Sequence, residues 1–110
     1  LARAVVGSSL VKSAMFGEDA NWGRVLAAMG YSGGAFEPNK VDILFRSTGG
    51  EVAMMTSGTP LPFDEDKAAA VLAADEVEVL IRLYEGSGCA TAWGCDLTYD
   101  YVKINGSYRT

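Results

Sequence analysis

The stretch VDILFRSTGGEVAMMT, at residues 41–56, decides the fold of this chain. Val41, Ile43 and Phe45 alternate with less apolar side chains, which is the two-residue period of a strand with one buried face. The turn at 47–50 contains two glycines and returns the chain into a second apolar run. Two strands joined by so short a turn predict an antiparallel hairpin.

A helix is predicted before the hairpin. It carries an apolar stripe at the helical spacing i, i+3, i+4 and i+7, which is typical of a face turned towards a core. The stripe consists of Trp22, Val25, Leu26 and Met29. Asp19 or Asn21 is expected to cap the first turn, because a short side-chain oxygen accepts hydrogen bonds from the free N–H groups there. We expect Trp22 to be a core anchor and Gly30 to end the helix.

The residues after the hairpin predict a second helix and further strands. Pro60 and Pro62 are expected to exclude regular structure locally. Asp64 is placed to cap a helix, and the two acidic residues that follow it suit the positive end of the helix dipole. Alternation over Val77–Leu83 predicts a strand. Near the start of the chain, before the first predicted helix, the weaker alternation over Leu10–Phe16 predicts a short strand.

Helices and antiparallel strands therefore occur without a regular strand–helix–strand rhythm. This predicts the α+β class: a compact two-layer roll with one mostly antiparallel sheet and two helices packed on one face. At 110 residues, we expect residues 1–110 to form a single domain. The chain lacks an initiator methionine and Leu1-Ala-Arg3 reads like the middle of a helix, which indicates a fragment, a processed product or an excised domain.

Composition and charge exclude several classes of partner. The net charge is −5 and the 9 basic residues are scattered, so neither nucleic acid nor an anionic membrane surface is an expected partner. The apolar runs are too short to cross a bilayer and no secretory signal is seen, which predicts a cytoplasmic protein. Cys89 and Cys95 are expected to be reduced, partly buried thiols. Because the chain has no histidine, we expect neither a zinc site nor a Ser-His-Asp triad within it.

Two rare blocks carry a family resemblance. FGEDANWGR occupies residues 16–24, and the segment Cys89–Thr110 keeps a structured pattern to its last residue. Together with Leu10–Lys12 and Pro62–Asp64, these blocks resemble the ornithine acetyltransferase (glutamate N-acetyltransferase) family of arginine biosynthesis. The resemblance spans nearly the whole chain and corresponds to the C-terminal domain of the second polypeptide of that family, the β chain.

The resemblance implies an enzyme that moves an acetyl group from N-acetylornithine to glutamate. Members of the family cut themselves into an α and a β chain and use the new N-terminal threonine as nucleophile, with its own α-amine as base. That threonine lies upstream, so no catalytic residue is expected in this chain. No metal or organic cofactor is implied. The implied partners are the rest of the β chain and the α chain, in a hetero-oligomer of two α and two β chains. The resemblance does not decide whether the enzyme also accepts acetyl-CoA as a donor, which would make it multifunctional.

The same resemblance assigns substrate binding to Asn105 and Thr110. An asparagine amide both donates and accepts hydrogen bonds, which suits the α-amino and α-carboxylate groups of an amino acid. The residues alone favour another interpretation, because Asn105-Gly106 is a strong turn dipeptide. With the resemblance, binding is the preferred interpretation.

Two further features of the sequence have both a structural and a functional interpretation. Asn21 and Arg24 either form a wall of the active site or belong to a capped helix start in which Arg24 bridges to a carboxylate, and for Glu18 the structural interpretation is preferred. The Ala90-Thr91 dipeptide matches the residue pair at which the family cuts, but its flanks differ, so Thr91 is expected to be a plain strand residue. The alternative to an enzyme is a non-catalytic interaction or regulatory domain of the same shape.

Overall fold

The computed structural model describes residues 1–84 and 88–96. Within these ranges lie four α-helices, a short 3-10 helix at Pro38–Lys40 and four strands. The helices are α1 (Ala2–Gly7), α2 (Ser9–Phe16), α3 (Trp22–Tyr31) and α4 (Glu65–Leu72). The strands are β1 (Asp42–Ser47), β2 (Gly50–Thr56), β3 (Thr59–Pro60) and β4 (Glu78–Arg82).

The strands form one antiparallel sheet in the order β3-β2-β1-β4. The hairpin of β1 and β2 and the strand within Val77–Leu83 are thereby confirmed. Leu44 of β1 lies opposite Ala53 of β2 on one side and Leu80 of β4 on the other. Since side chains alternate across a strand, this register fixes which residues of the three strands share a face.

The core lies between the sheet and the helices. Ile43 and Phe45 are fully buried on the inner face of β1, and Val71 of α4 packs into the same cluster. Val25 and Met29 of α3 belong to it as well, so the helices before the hairpin share one core with the helix after it. The α+β class and the antiparallel sheet are confirmed.

The strand predicted over Leu10–Phe16 is wrong, because these residues belong to α2. Ser8 caps this helix, and its Oγ accepts a hydrogen bond from the backbone N–H of Val11 at 3.3 Å. Val11 and Ala14, one helical turn apart, are both buried. The segment therefore contributes a helical stripe to the core and not one face of a sheet.

Three smaller predictions were also wrong. Pro60 pairs with Met55 in β3, at the edge of the sheet, where a residue without an N–H group is tolerated. Cys89 and Cys95 are free, as expected, but exposed instead of partly buried. Thr91 is exposed and lies outside any strand.

Candidate functional site

The two residues assigned to substrate binding from the sequence, Asn105 and Thr110, lie outside the described residues. The described segment nearest to them in the sequence is 88–96. Within it, Gly94 lies against α1, since a Cβ placed on Gly94 would come 3.1 Å from Cβ of Val6. The start of the C-terminal segment therefore runs beside α1.

The FGEDANWGR block comprises the last residue of α2, the loop between α2 and α3 and the first turn of α3. Its loop is tightly bent: Gly17 donates its N–H to the carbonyl oxygen of Ser13 at 3.0 Å, and Glu18 has a positive φ of 56°. Asn21 caps α3, because its Oδ1 accepts the N–H of Arg24 at 3.0 Å. Asp19 supports the cap by accepting a hydrogen bond from Nδ2 of Asn21 at 3.1 Å.

Arg24 joins two helices. Its Nη1 donates a hydrogen bond to the backbone carbonyl oxygen of Leu10, in α2, at 2.9 Å. The structural interpretation had Arg24 bridge to a carboxylate, whereas its partner here is this backbone carbonyl oxygen. Trp22, two residues earlier, is half-buried and packs against the core, in agreement with its expected role as an anchor. The conformation of the block thus fixes α3 relative to α2.

An open acidic hollow of about 240 Å³ lies where this block meets the start of α4. Its lining consists of Gly17, Glu18, Asp19, Ala20, Phe63, Glu65 and Ala68. The carboxylates on its rim are exposed and accept hydrogen bonds only, so they suit an ammonium group better than a carboxylate. Among the described residues, no group of three or more acidic or cysteine side chains is arranged to hold a metal ion.

A second polar group, missed by the sequence analysis, lies at Asp42 in β1. The hydroxyl of Tyr84 donates a hydrogen bond to Oδ2 of Asp42, and the N–H of Ser57 donates to Oδ1 at 2.8 Å. These two hydrogen bonds hold the pKa of the Asp42 carboxyl below its ordinary value of 3.8, and the hydrogen bond from the Tyr84 hydroxyl lowers it more than the one from Ser57. The three residues are far apart in the sequence, so no local pattern could reveal the group.

In the part of the chain that the structure describes, none of the helices is both long enough and apolar enough to cross a bilayer.

Residues 1–110 match the ArgJ family. The arginine biosynthesis bifunctional protein ArgJ of Symbiobacterium thermophilum is 62% identical over 109 residues, which cover 99% of this chain and 26% of that protein. The glutamate N-acetyltransferase of Methanopyrus kandleri is 51% identical over 109 residues, covering 99% of this chain and 28% of that protein. The crystal structure of arginine biosynthesis bifunctional protein ArgJ from Bacillus halodurans superposes with a TM-score of 0.88 at 44% identity, over 97% of this chain and 49% of that one.

The chain therefore belongs to the ArgJ family, which confirms the resemblance seen in the sequence. It spans about a quarter of the length of the curated relatives it matches, and corresponds to their C-terminal part.

Proposed function

We propose that this chain is the C-terminal domain of an N-acetyltransferase that moves an acetyl group from N-acetylornithine to glutamate. The observation that carries the proposal is the match of the whole chain to the ArgJ family, with 62% identity to one relative and a TM-score of 0.88 to another. The relatives are named as an arginine biosynthesis bifunctional protein and as a glutamate N-acetyltransferase. The second name specifies the acceptor of the acetyl group.

The bond chemistry is assigned to a threonine upstream of this chain. Its Oγ attacks the acetyl carbonyl of N-acetylornithine, its proton passes by way of its own α-amine to the departing amine, and ornithine leaves an acetyl-threonine ester. The α-amine of glutamate then attacks the ester, which yields N-acetylglutamate and restores the threonine.

Asn105 and Thr110 are proposed to hold the amino-acid part of the substrate. The Asn105 amide offers a donor for a carboxylate and an acceptor for an ammonium group. In the full enzyme, Thr110 would add a hydroxyl, which both donates and accepts hydrogen bonds. Neither group is a nucleophile in this scheme, so both position the substrate and do not react with it.

The proposal includes the assembly of the enzyme. This domain would pack against the rest of its β chain and against the α chain produced by autocatalytic cleavage, in a cytoplasmic hetero-oligomer of two α and two β chains. It needs neither a metal nor an organic cofactor, because the acetyl group moves between a threonine oxygen and two amines.

The test is an acetyl-transfer assay on the full-length protein with glutamate as acceptor. N-acetylornithine is expected to yield N-acetylglutamate, and acetyl-CoA, offered separately, determines whether the enzyme is bifunctional. The 110-residue chain alone is expected to yield no product. A full-length protein without transfer from N-acetylornithine, or turnover by the short chain that disappears with Thr91→Ala, would contradict the proposal.

A further inference from the structure

The face of the sheet that points away from the helices is ordered in rows across three strands. We name it the outer face, and its middle row is apolar. Leu80, Leu44 and Ala53 lie side by side at the same register in β4, β1 and β2. Ala53 is exposed and the two leucines are only partly buried, so this row faces away from the core of the described residues.

Charged rows flank the apolar row on both sides. On one side, Arg46 of β1 lies between Glu78 and Glu51, with nitrogen–oxygen distances of 2.9 Å and 4.0 Å. On the other side, Asp42 lies opposite Arg82. The charges are therefore largely balanced within the chain, and the apolar row between them is the part of the face that gains most from being covered.

The outer face is also concave. A shallow cavity of about 460 Å³ lies over it, and Leu61 and Met55 contribute to its wall. An antiparallel sheet with one solvated face normally presents polar side chains there. An apolar centre within a polar rim is instead typical of a surface that docks against another polypeptide.

The family match indicates what covers this face. The chain corresponds to 26% of one relative and 28% of another, so about three-quarters of a family polypeptide lies outside it. Among residues 1–84 and 88–96, the helices cover the inner face of the sheet and the outer face stays uncovered. We propose that the outer face is the surface through which this domain docks against the preceding polypeptide of the same protein. The proposal rests on membership of the ArgJ family and does not depend on the proposed acetyl transfer.

The test measures thiol accessibility at Ala53 in the full-length protein. Ala53→Cys places a small probe in the apolar row, and cleavage after Arg46 and Lys67 isolates it in a peptide without native cysteines. Labelling by a maleimide is compared between native and denatured protein by mass spectrometry. The matched control is Ala73→Cys, an exposed alanine at the end of α4, whose peptide also lacks native cysteines.

Native Ala53→Cys is expected to react roughly ten-fold or more slowly than the denatured protein, because a covered thiol reacts only after local opening. Ala73→Cys is expected to react at nearly the denatured rate. Free labelling at position 53, or equal protection at both positions, would overturn the proposal.

The occupant is identified with a photo-crosslinking residue, benzoylphenylalanine, at Glu51 on the rim. A crosslink to a peptide from the preceding polypeptide supports the proposal. Crosslinks only to residues 97–110, or only to a second copy in a mixture of heavy- and light-isotope protein, would overturn it. Protection at position 53 that disappears on dilution would also overturn it, since it would assign the face to a contact between copies.

Discussion

Arg24 in α3 and Leu10 in α2 are joined by a hydrogen bond of 2.9 Å from the guanidinium Nη1 to the backbone carbonyl oxygen. This bond connects the FGEDANWGR block to Leu10–Lys12, a second segment that carries the family resemblance. A guanidinium is well suited to the contact, because it keeps its charge and presents several donors in a fixed plane.

The first prediction concerns this bond. Arg24→Met removes the donor and keeps the length of the side chain, and we expect it to lower the free energy of unfolding by about 1 kcal/mol, since the bond is exposed to solvent. Arg3→Met, at an exposed position in α1, is the control and should change stability little. Urea unfolding measures both variants. Equal stability of the two would show that the bond does not fix α3.

The second prediction concerns the turn of the hairpin. Ser47 Oγ donates to the carbonyl oxygen of Val71 at 2.6 Å, and Gly49 packs so closely on α4 that a Cβ there would lie 2.3 Å from the carbonyl oxygen of Ala70. Gly49→Ala must displace backbone and is expected to cost about 1–3 kcal/mol.

Gly30→Ala is the matched control for that change. Nothing lies within 4 Å of a Cβ at Gly30, near the end of α3, so the alanine is expected to stabilise by about 0.5–1 kcal/mol through helix propensity. Thermal unfolding of the two variants should therefore shift in opposite directions. A loss of stability for both would contradict the packing described here.

The third prediction concerns the two aromatic residues at the ends of α3. Trp22 is half-buried against the core, so Trp22→Ala is expected to cost about 2 kcal/mol, less than emptying a fully buried aromatic site. Tyr31 is 92% exposed, and Tyr31→Ala should change the free energy of unfolding by no more than about 0.5 kcal/mol. Denaturant unfolding of both variants checks the contrast, and similar costs would place Trp22 outside the core.

The fourth prediction is a pH dependence at Asp42. Hydrogen bonds from Tyr84 and Ser57 lower the pKa of this carboxyl in the folded protein. The stabilisation is therefore present above the ordinary pKa of 3.8 and is lost as the pH falls through the lower folded value.

Tyr84→Phe removes the larger of the two contributions. The variant should be less stable than the unchanged protein at pH 7, and the difference should shrink towards pH 2. Tyr31→Phe, at an exposed tyrosine, serves as the control and should show no such dependence. A difference that stays constant over this pH range would contradict the role given to the phenol.

Local signals predicted the fold where the two partners of an interaction lie close together in the sequence. Asn21 and Asp64 cap their helices with side-chain oxygens that reach N–H groups two or three residues ahead, and such contacts can be predicted from sequence. The hairpin of β1 and β2 was predicted for the same reason. Residues 10–16 were wrongly predicted as a strand because of their weak alternation. Two helical signals were present: Ser8 at the capping position, and Val11 and Ala14 one helical turn apart.

Contacts between distant residues could not be predicted. Asp42 and Tyr84 are brought together only when β1 pairs with β4. The bond from Arg24 to Leu10 depends on the packing of α2 against α3 and on a carbonyl that the sequence does not distinguish from any other. The apolar row at Leu44 needed the register of three strands before it could be recognised.

The fifth prediction concerns Asn105 and Thr110 in the full-length protein. If Asn105 and Thr110 bind the substrate as proposed, Asn105→Ala and deletion of Thr110 each remove one partner of a charged substrate group, which typically costs about 1.5–3 kcal/mol, or very roughly ten- to a hundred-fold in kcat/KM. The proposed autocatalytic cleavage into two chains should continue in both variants, because the threonine proposed to perform it lies upstream. Intact cleavage thereby serves as the control for folding.

The proposed role of Asn105 is tested by kcat/KM for acetyl transfer from N-acetylornithine to glutamate, measured on the full-length Asn105→Ala variant. We expect a roughly ten- to a hundred-fold decrease for both substrates, with cleavage into two chains unchanged. An unchanged kcat/KM for both substrates in a correctly cleaved protein would contradict it and leave Asn105 as part of a turn.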